Sequence, residues 1–156
     1  MFRKLKIIGG IILVYLSIAG CGPSKVTQCN TLIVTINKGN TLVNAENENS
    51  FDAATTNQLG GDLETISQEL EALKLEDETL QQFQTDLTQT FKELSQAFFQ
   101  MSLALKTSTQ VEASLEGRKK FNQAKNQLTQ AGQQANKVAT QKDILLDKLV
   151  TYCQNK

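Results

Sequence analysis

The chain of 156 residues contains no histidine and no tryptophan, a single proline, Pro23, and three cysteines, Cys21, Cys29 and Cys153. The missing histidine removes at once the usual general base and the commonest protein metal ligand. Nucleophilic triads therefore find no support, and two cysteines without a histidine make a poor zinc site. There is no glycine-rich phosphate loop, Gly60-Gly61 being only a pair, and no carboxylate run has the spacing and glycine of a calcium loop. Glu46 and Glu48, and the run Glu76-Asp77-Glu78, read as solvated acids beside helix starts, with weak holding of a divalent cation as the alternative. No catalytic residue, cofactor site or metal site is expected, and the chain reads as non-enzymatic.

Long apolar runs are equally scarce. The one extended stretch is Ile7 to Ile18, set between Arg3, Lys4 and Lys6 and the small residues of Ile18-Ala19-Gly20-Cys21. A membrane-spanning helix needs about 20 apolar residues, so this stretch is too short to be a permanent span and suits a secretory signal. It resembles a bacterial lipoprotein signal peptide ending in a lipobox, with Ile18 in the place usually held by Leu. The resemblance implies lipid on the Cys21 thiol, cleavage after Gly20 and acylation of the new terminal amine. Residues 1–20 are then the cleaved signal, 21–27 a lipidated tether, and 28–156 one domain. A protein with several acyl chains on one cysteine stays on its membrane, because each buried methylene adds about 0.8 kcal/mol. The implied location is the exported side of the bacterial envelope, anchored to a membrane. Gly22 stands where many lipoproteins retained at the inner membrane of Gram-negative cells carry Asp, so the family rule allows an outer-membrane destination.

Without residues 1–20 the chain holds 13 basic and 16 acidic residues, a net charge of −3. Generic nucleic-acid binding is not expected of such a chain. Charge is unevenly placed: Glu46 to Asp86 carries 11 acids and only Lys74 as a base, whereas Lys106 to Lys156 carries 9 bases and 4 acids. An acidic second helix lying near a basic last helix would account for this, each surface pair contributing less than about 1 kcal/mol. Arg118-Lys119-Lys120 reads as a solvated face, with lipid headgroups or a nucleic acid as the alternatives.

With Cys21 used for lipid, an exported chain keeps an even pair, Cys29 and Cys153, and a disulfide between them is expected. Two free buried thiols are the alternative.

Helical periodicity dominates the rest. Cys29, Leu32, Ile33, Ile36, Leu42 and Val43 fall at roughly helical spacing from about Gln28 to Glu46, with Gly39 among them; Leu32 to Ile36 is rich in branched residues, but no second run exists for a strand to pair with. The polar stretch 46–50 suits a turn with Ser50 or a neighbour as helix cap. Leu59, Leu63, Ile66, Leu70 and Leu73 form a heptad stripe over a helix from about Asp52 to Lys74. Gly60-Gly61 at its start implies fraying, a kink or a close neighbour. Asp77 caps a third helix to about Lys106, in which Leu80, Phe83, Leu87, Phe91, Leu94, Phe98, Met101 and Leu105 keep 3-4 spacing. A last helix runs from Val111 or Glu112 to Tyr152, with Leu115, Phe121, Ala124, Leu128, Ala131, Ala135, Val138, Leu145, Leu149 and Tyr152 on one stripe and Lys142 at an expected core position. Gly117 is a candidate bend, and a helix of this length outreaches its neighbours or bends over them.

Four helices with short connections predict an all-α, antiparallel up-down-up-down bundle. An even number of alternating helices is also what brings Cys29 and Cys153 together, and disulfide-linked Cα atoms must lie within about 7 Å. Cys21, Cys29, Cys153 and the stretch Ile36-Asn37-Lys38-Gly39-Asn40, in a chain rich in Gln, Asn and Thr, make it similar to helical lipoproteins of cyanobacteria, and more loosely to photosystem-assembly lipoproteins of those cells. The resemblance carries over no site residues. The expected function is a membrane-anchored interaction or assembly module binding an envelope protein. The alternative is a carrier holding an apolar ligand between its helices, with Phe83, Phe91, Phe98, Phe99 and Phe121 as lining.

Overall fold

The computed structural model describes residues 23–46 and 52–155. The signal segment, Cys21, Gly22 and the turn containing Ser50 lie outside the described residues. Four helices make up nearly all of the described chain: α1 Lys25–Glu46, α2 Ala53–Glu71, α3 Glu78–Thr109 and α4 Leu115–Gln154. No strand occurs among the described residues, and Leu32 to Ile36 is helical. The all-α class and the four-helix bundle agree with the sequence reading.

Local chemistry sets the helix ends. α1 begins at Lys25, earlier than expected, because Ser24 directly after Pro23 acts as a cap: its Oγ accepts from the Thr27 amide at 3.2 Å and its carbonyl from the Gln28 amide at 3.0 Å. Lys25, Val26 and Thr27 therefore belong to α1. At α2, Asp52 accepts from the amides of Ala54 and Thr55 at 2.8 and 2.9 Å, while the Asp52 amide donates to Thr55 Oγ1 at 3.3 Å, a reciprocal capping box. Asp77 caps α3 by accepting from the Leu80 amide at 2.9 Å. α3 runs past Lys106 through Thr107, Ser108 and Thr109, whose hydroxyls donate back to the carbonyls of Leu103, Leu105 and Lys106 at 2.9, 2.7 and 3.0 Å. Ser114 caps α4 by accepting from the Gly117 amide at 2.9 Å. Gly117 therefore lies in the first helical turn, where a Cβ would meet the Glu112 carbonyl; close approach, not a bend, explains the residue.

α3 packs along both α2 and α4, whereas α1 lies chiefly on α2 and meets α3 and α4 more sparsely. α2 and α4 share no close backbone approach. The expected pairing of an acidic second helix with a basic last one is thus not found, because α3 separates them. Among the described residues, the inter-helix ion pair is instead Lys38 of α1 with Glu69 of α2, at 2.7 Å.

The core follows the stripes: Cys29, Leu32 and Ile36 from α1, Leu59, Leu63, Ile66 and Leu70 from α2, and Leu80, Leu87, Phe91, Leu94, Phe98 and Met101 from α3 are all buried. α4 offers a narrower edge of Gly117, Ala124, Ala131, Val138, Lys142 and Leu149, mostly seven residues apart. Such small side chains admit a close neighbour, and α3 presents buried Ala97 and Ala104 at the same interval. Gly60 likewise gives room to the Phe99 ring, whose nearest atoms would stand 2.9 Å from a Cβ there.

Two expected core residues of α4 fall outside the core: Leu115 is 81% exposed and Phe121 44%. The cause is helix length. At 1.5 Å per residue, the 40 residues of α4 span about 60 Å and the 32 of α3 about 48 Å, against about 33 Å for α1 and about 28 Å for α2. Ser102 Oγ of α3 donates to the Ala53 carbonyl at the first residue of α2, at 2.6 Å, so residues 103–109 of α3 continue beyond it. Among the described residues, the arm formed there by α3 and α4 has two helices where the body has four.

Candidate functional site

Three regions are candidates: the end where the start of α1 meets the end of α4, the outer seam between α3 and α4, and the tip of the arm.

At the first of these, Cys29 near the start of α1 and Cys153 near the end of α4 form a disulfide across 124 residues, with Cα atoms 5.9 Å apart. The predicted pair is therefore joined, and Cys29 is buried beneath it. Gln28, 5% exposed, ties the α2–α3 connection to the same place: its Oε1 accepts from the amides of Glu76 and Asp77 at 2.6 and 3.1 Å, and its Nε2 donates to the Pro23 carbonyl at 2.7 Å. Tyr152 Oη donates to the Asp77 carboxylate at 2.9 and 2.8 Å. Lys25 Nζ sits 3.9 Å from the centroid of the Tyr152 ring and donates to the Asn155 carbonyl at 2.9 Å. Phe83 packs against the same ring at 6.2 Å between centroids. The hydrogen bond from the Leu80 amide, and then that from Tyr152, hold the Asp77 carboxyl below the usual carboxylate range. Donation to Asp77 in turn pushes the Tyr152 phenol up. Asp52 is lowered in the same way by its cap bonds, the Thr55 amide first. All three are explained by capping and locking roles.

Lys142 resolves the anomaly in the α4 stripe. Only 9% exposed, it donates to Asn40 Oδ1 of α1 at 2.6 Å and lies 3.5 Å from Asp143. The charge is carried into the α1–α4 contact by a polar partner that no local pattern announces.

Along the outer seam, Asp86, Gln89, Thr90 and Glu93 of α3 face Gln141, Ile144 and Leu145 of α4 across an open groove of about 360 Å³. Further along, Gln100 and Leu103 stand beside Gln127 and Gln130. The spacing of these residues puts them on one face of each helix. Within this glutamine-rich strip Leu103 is 64% and Ile144 50% exposed.

At the arm's tip, Val111, Leu115, Arg118 and Phe121 line an open groove of about 540 Å³ at the α3–α4 connection. Arg118, Lys119 and Lys120 are all exposed. Of the phenylalanines considered as a ligand lining, Phe91 and Phe98 are buried in the core. Phe99 rests on Gly60, Phe83 on Tyr152, and Phe121 lies at this tip, so the five do not converge on one cavity.

Among the described residues there is no group of three or more carboxylates and cysteines placed to hold a metal ion, and no helix long and apolar enough to cross a membrane. Gln28, Asn40 and Leu75, which is buried in the α2–α3 connection, were not legible as structural residues from periodicity. No protein-family model matches the chain, and neither a curated protein nor a solved structure aligns with it significantly.

Proposed function

We propose that this chain is an exported lipoprotein, held to a bacterial envelope membrane through lipid on Cys21, that acts without catalysis as an interaction or assembly module for an envelope protein. We further propose that its helices alternate up-down-up-down, which puts the lipidated start, the Cys29–Cys153 disulfide and the α2–α3 connection at one pole. Contacts running in opposite sequence order support the alternation: Cys29 with Cys153 and Asn40 with Lys142 for α1 and α4, and Gln84 with Leu70 and Ser102 with Ala53 for α3 and α2. A disulfide suits an oxidising compartment. The observation that carries the interaction reading is the exposure of Leu103 and Ile144 within the glutamine-rich seam. Apolar residues ringed by polar groups, mostly glutamines with Asp86, Thr90 and Glu93 beside Ile144, are the make-up of a protein contact whose core is apolar and whose rim is polar.

A photoreactive residue placed at Leu103 or at Ile144 of the full chain in its native envelope tests this. The same discrete adduct is expected from both positions, and none from Glu64 on the exposed side of α2. Absence of an adduct, or equal labelling from Glu64, would contradict the reading.

A further inference from the structure

The basic cluster at the arm's tip is not used by the bundle. Arg118, Lys119 and Lys120 stand between two exposed apolar side chains, Leu115 and Phe121. Lys106 and Lys125 extend the exposed basic surface on either side. Between Lys106 and Lys125 there are five basic and two acidic residues, a net charge of +3 in a mature chain of −3. The tip is well defined: Ser114 caps the helix, its amide donates to the Glu112 carbonyl at 2.8 Å, and that carbonyl packs on Gly117.

We infer that this tip docks on an anionic lipid surface, with Leu115 and Phe121 entering the interface and Arg118, Lys119 and Lys120 meeting the headgroup phosphates. Helical segments that bind membrane surfaces combine large apolar side chains with flanking Lys and Arg, and attraction to anionic lipid adds to apolar burial. The excess of positive charge disfavours a second copy as the occupant, because two such tips repel. Together with the proposed anchor, on which this part rests, the chain would meet membrane at both ends of a rod about 60 Å long.

The chain has no tryptophan, so Phe121→Trp in the full chain gives one local reporter. Its emission is read while flotation with the same vesicles reads the anchor. Vesicles containing phosphatidylglycerol are expected to move the emission to shorter wavelength, and purely phosphatidylcholine vesicles to leave it unchanged even where the chain floats with them. Adding Arg118→Gln, Lys119→Gln and Lys120→Gln should weaken the response to phosphatidylglycerol by about tenfold or more, with helical content unchanged. No shift on phosphatidylglycerol, an equal shift on both vesicle types, a response that survives the three Gln substitutions, or a shift with rising protein concentration and no vesicles would each overturn the docking. Failure to float with phosphatidylcholine vesicles would instead count against the anchor alone.

Discussion

The Phe91 ring of α3 fills the space that a Cβ on Gly39 of α1 would need, its Cζ standing 2.8 Å from that position. Phe91 is fully buried and cannot swing away. Glycine inside a helix costs about 1 kcal/mol relative to Ala, and here that cost is offset by letting the ring seat against the α1 backbone. Gly39→Ala should therefore destabilise by about 1–2 kcal/mol, since overpacking costs more than the gain in helix propensity. Gly61 has open space around it, so Gly61→Ala should stabilise by up to about 1 kcal/mol. Gly60→Ala should fall between the two, because the Phe99 ring it meets is only partly buried. Urea unfolding of the three variants checks the order.

Stability should depend on pH through the lock between Asp77 and Tyr152. The folded carboxyls of Asp77 and Asp52 titrate below their unfolded value of about 4, so their contribution is present above that value and lost as pH falls through the folded one. The Tyr152 phenol is raised, so its contribution is complete below about 10 and lost as pH rises through its folded value. Tyr152→Phe should lower the melting temperature by a few degrees near neutral pH and flatten the alkaline decline. Thermal melts from acid to alkaline pH read both limbs.

Lys142 and Asn40 should behave as a coupled pair. Asn40→Ala leaves a buried ammonium without its 2.6 Å partner and should cost about 1–3 kcal/mol. Replacing both residues with apolar ones, Asn40→Leu with Lys142→Met, should recover most of that loss, since an apolar contact does without the desolvated charge. A double-mutant cycle in urea measures the coupling; additive losses would mean that Asp143 supports Lys142 instead.

Closing a loop across 124 residues limits the unfolded chain, which on the chain-entropy model stabilises the fold by about 4–5 kcal/mol. Cys29→Ser with Cys153→Ser should lose stability on that scale. Because α1 packs mainly on α2, protection from hydrogen exchange should fall first in α1.

Periodicity made the body of this fold legible: the leucine stripes of α2 and α3 named their buried faces, and Asp77 its own cap. It was blind to reach. The stripe of α4 continues through Phe121 and Leu115, but a seven-residue repeat states which face would be buried and not whether a neighbour extends far enough to bury it. Charge composition misled for a related reason, since acidic α2 and basic α4 are held apart by α3. The locking contacts were unreadable because their partners are remote: Gln28 reaches the Asp77 amide 49 residues away, and Tyr152 the Asp77 carboxylate 75 residues away. Of the proposed docking surfaces, Arg118-Lys119-Lys120 stood out in the sequence only as charge. What gives it a direction is the exposure of Leu115 and Phe121 on either side, a consequence of helix lengths.

The proposed lipid tether, together with the Cys29–Cys153 disulfide, requires one covalent state of the chain. Mass spectrometry of the native protein extracted from membranes, without reduction, should find the chain starting at an acylated Cys21 and a peptide pair joining Cys29 to Cys153. A chain that still begins at Met1, an unmodified Cys21, or free thiols at both positions would contradict the account.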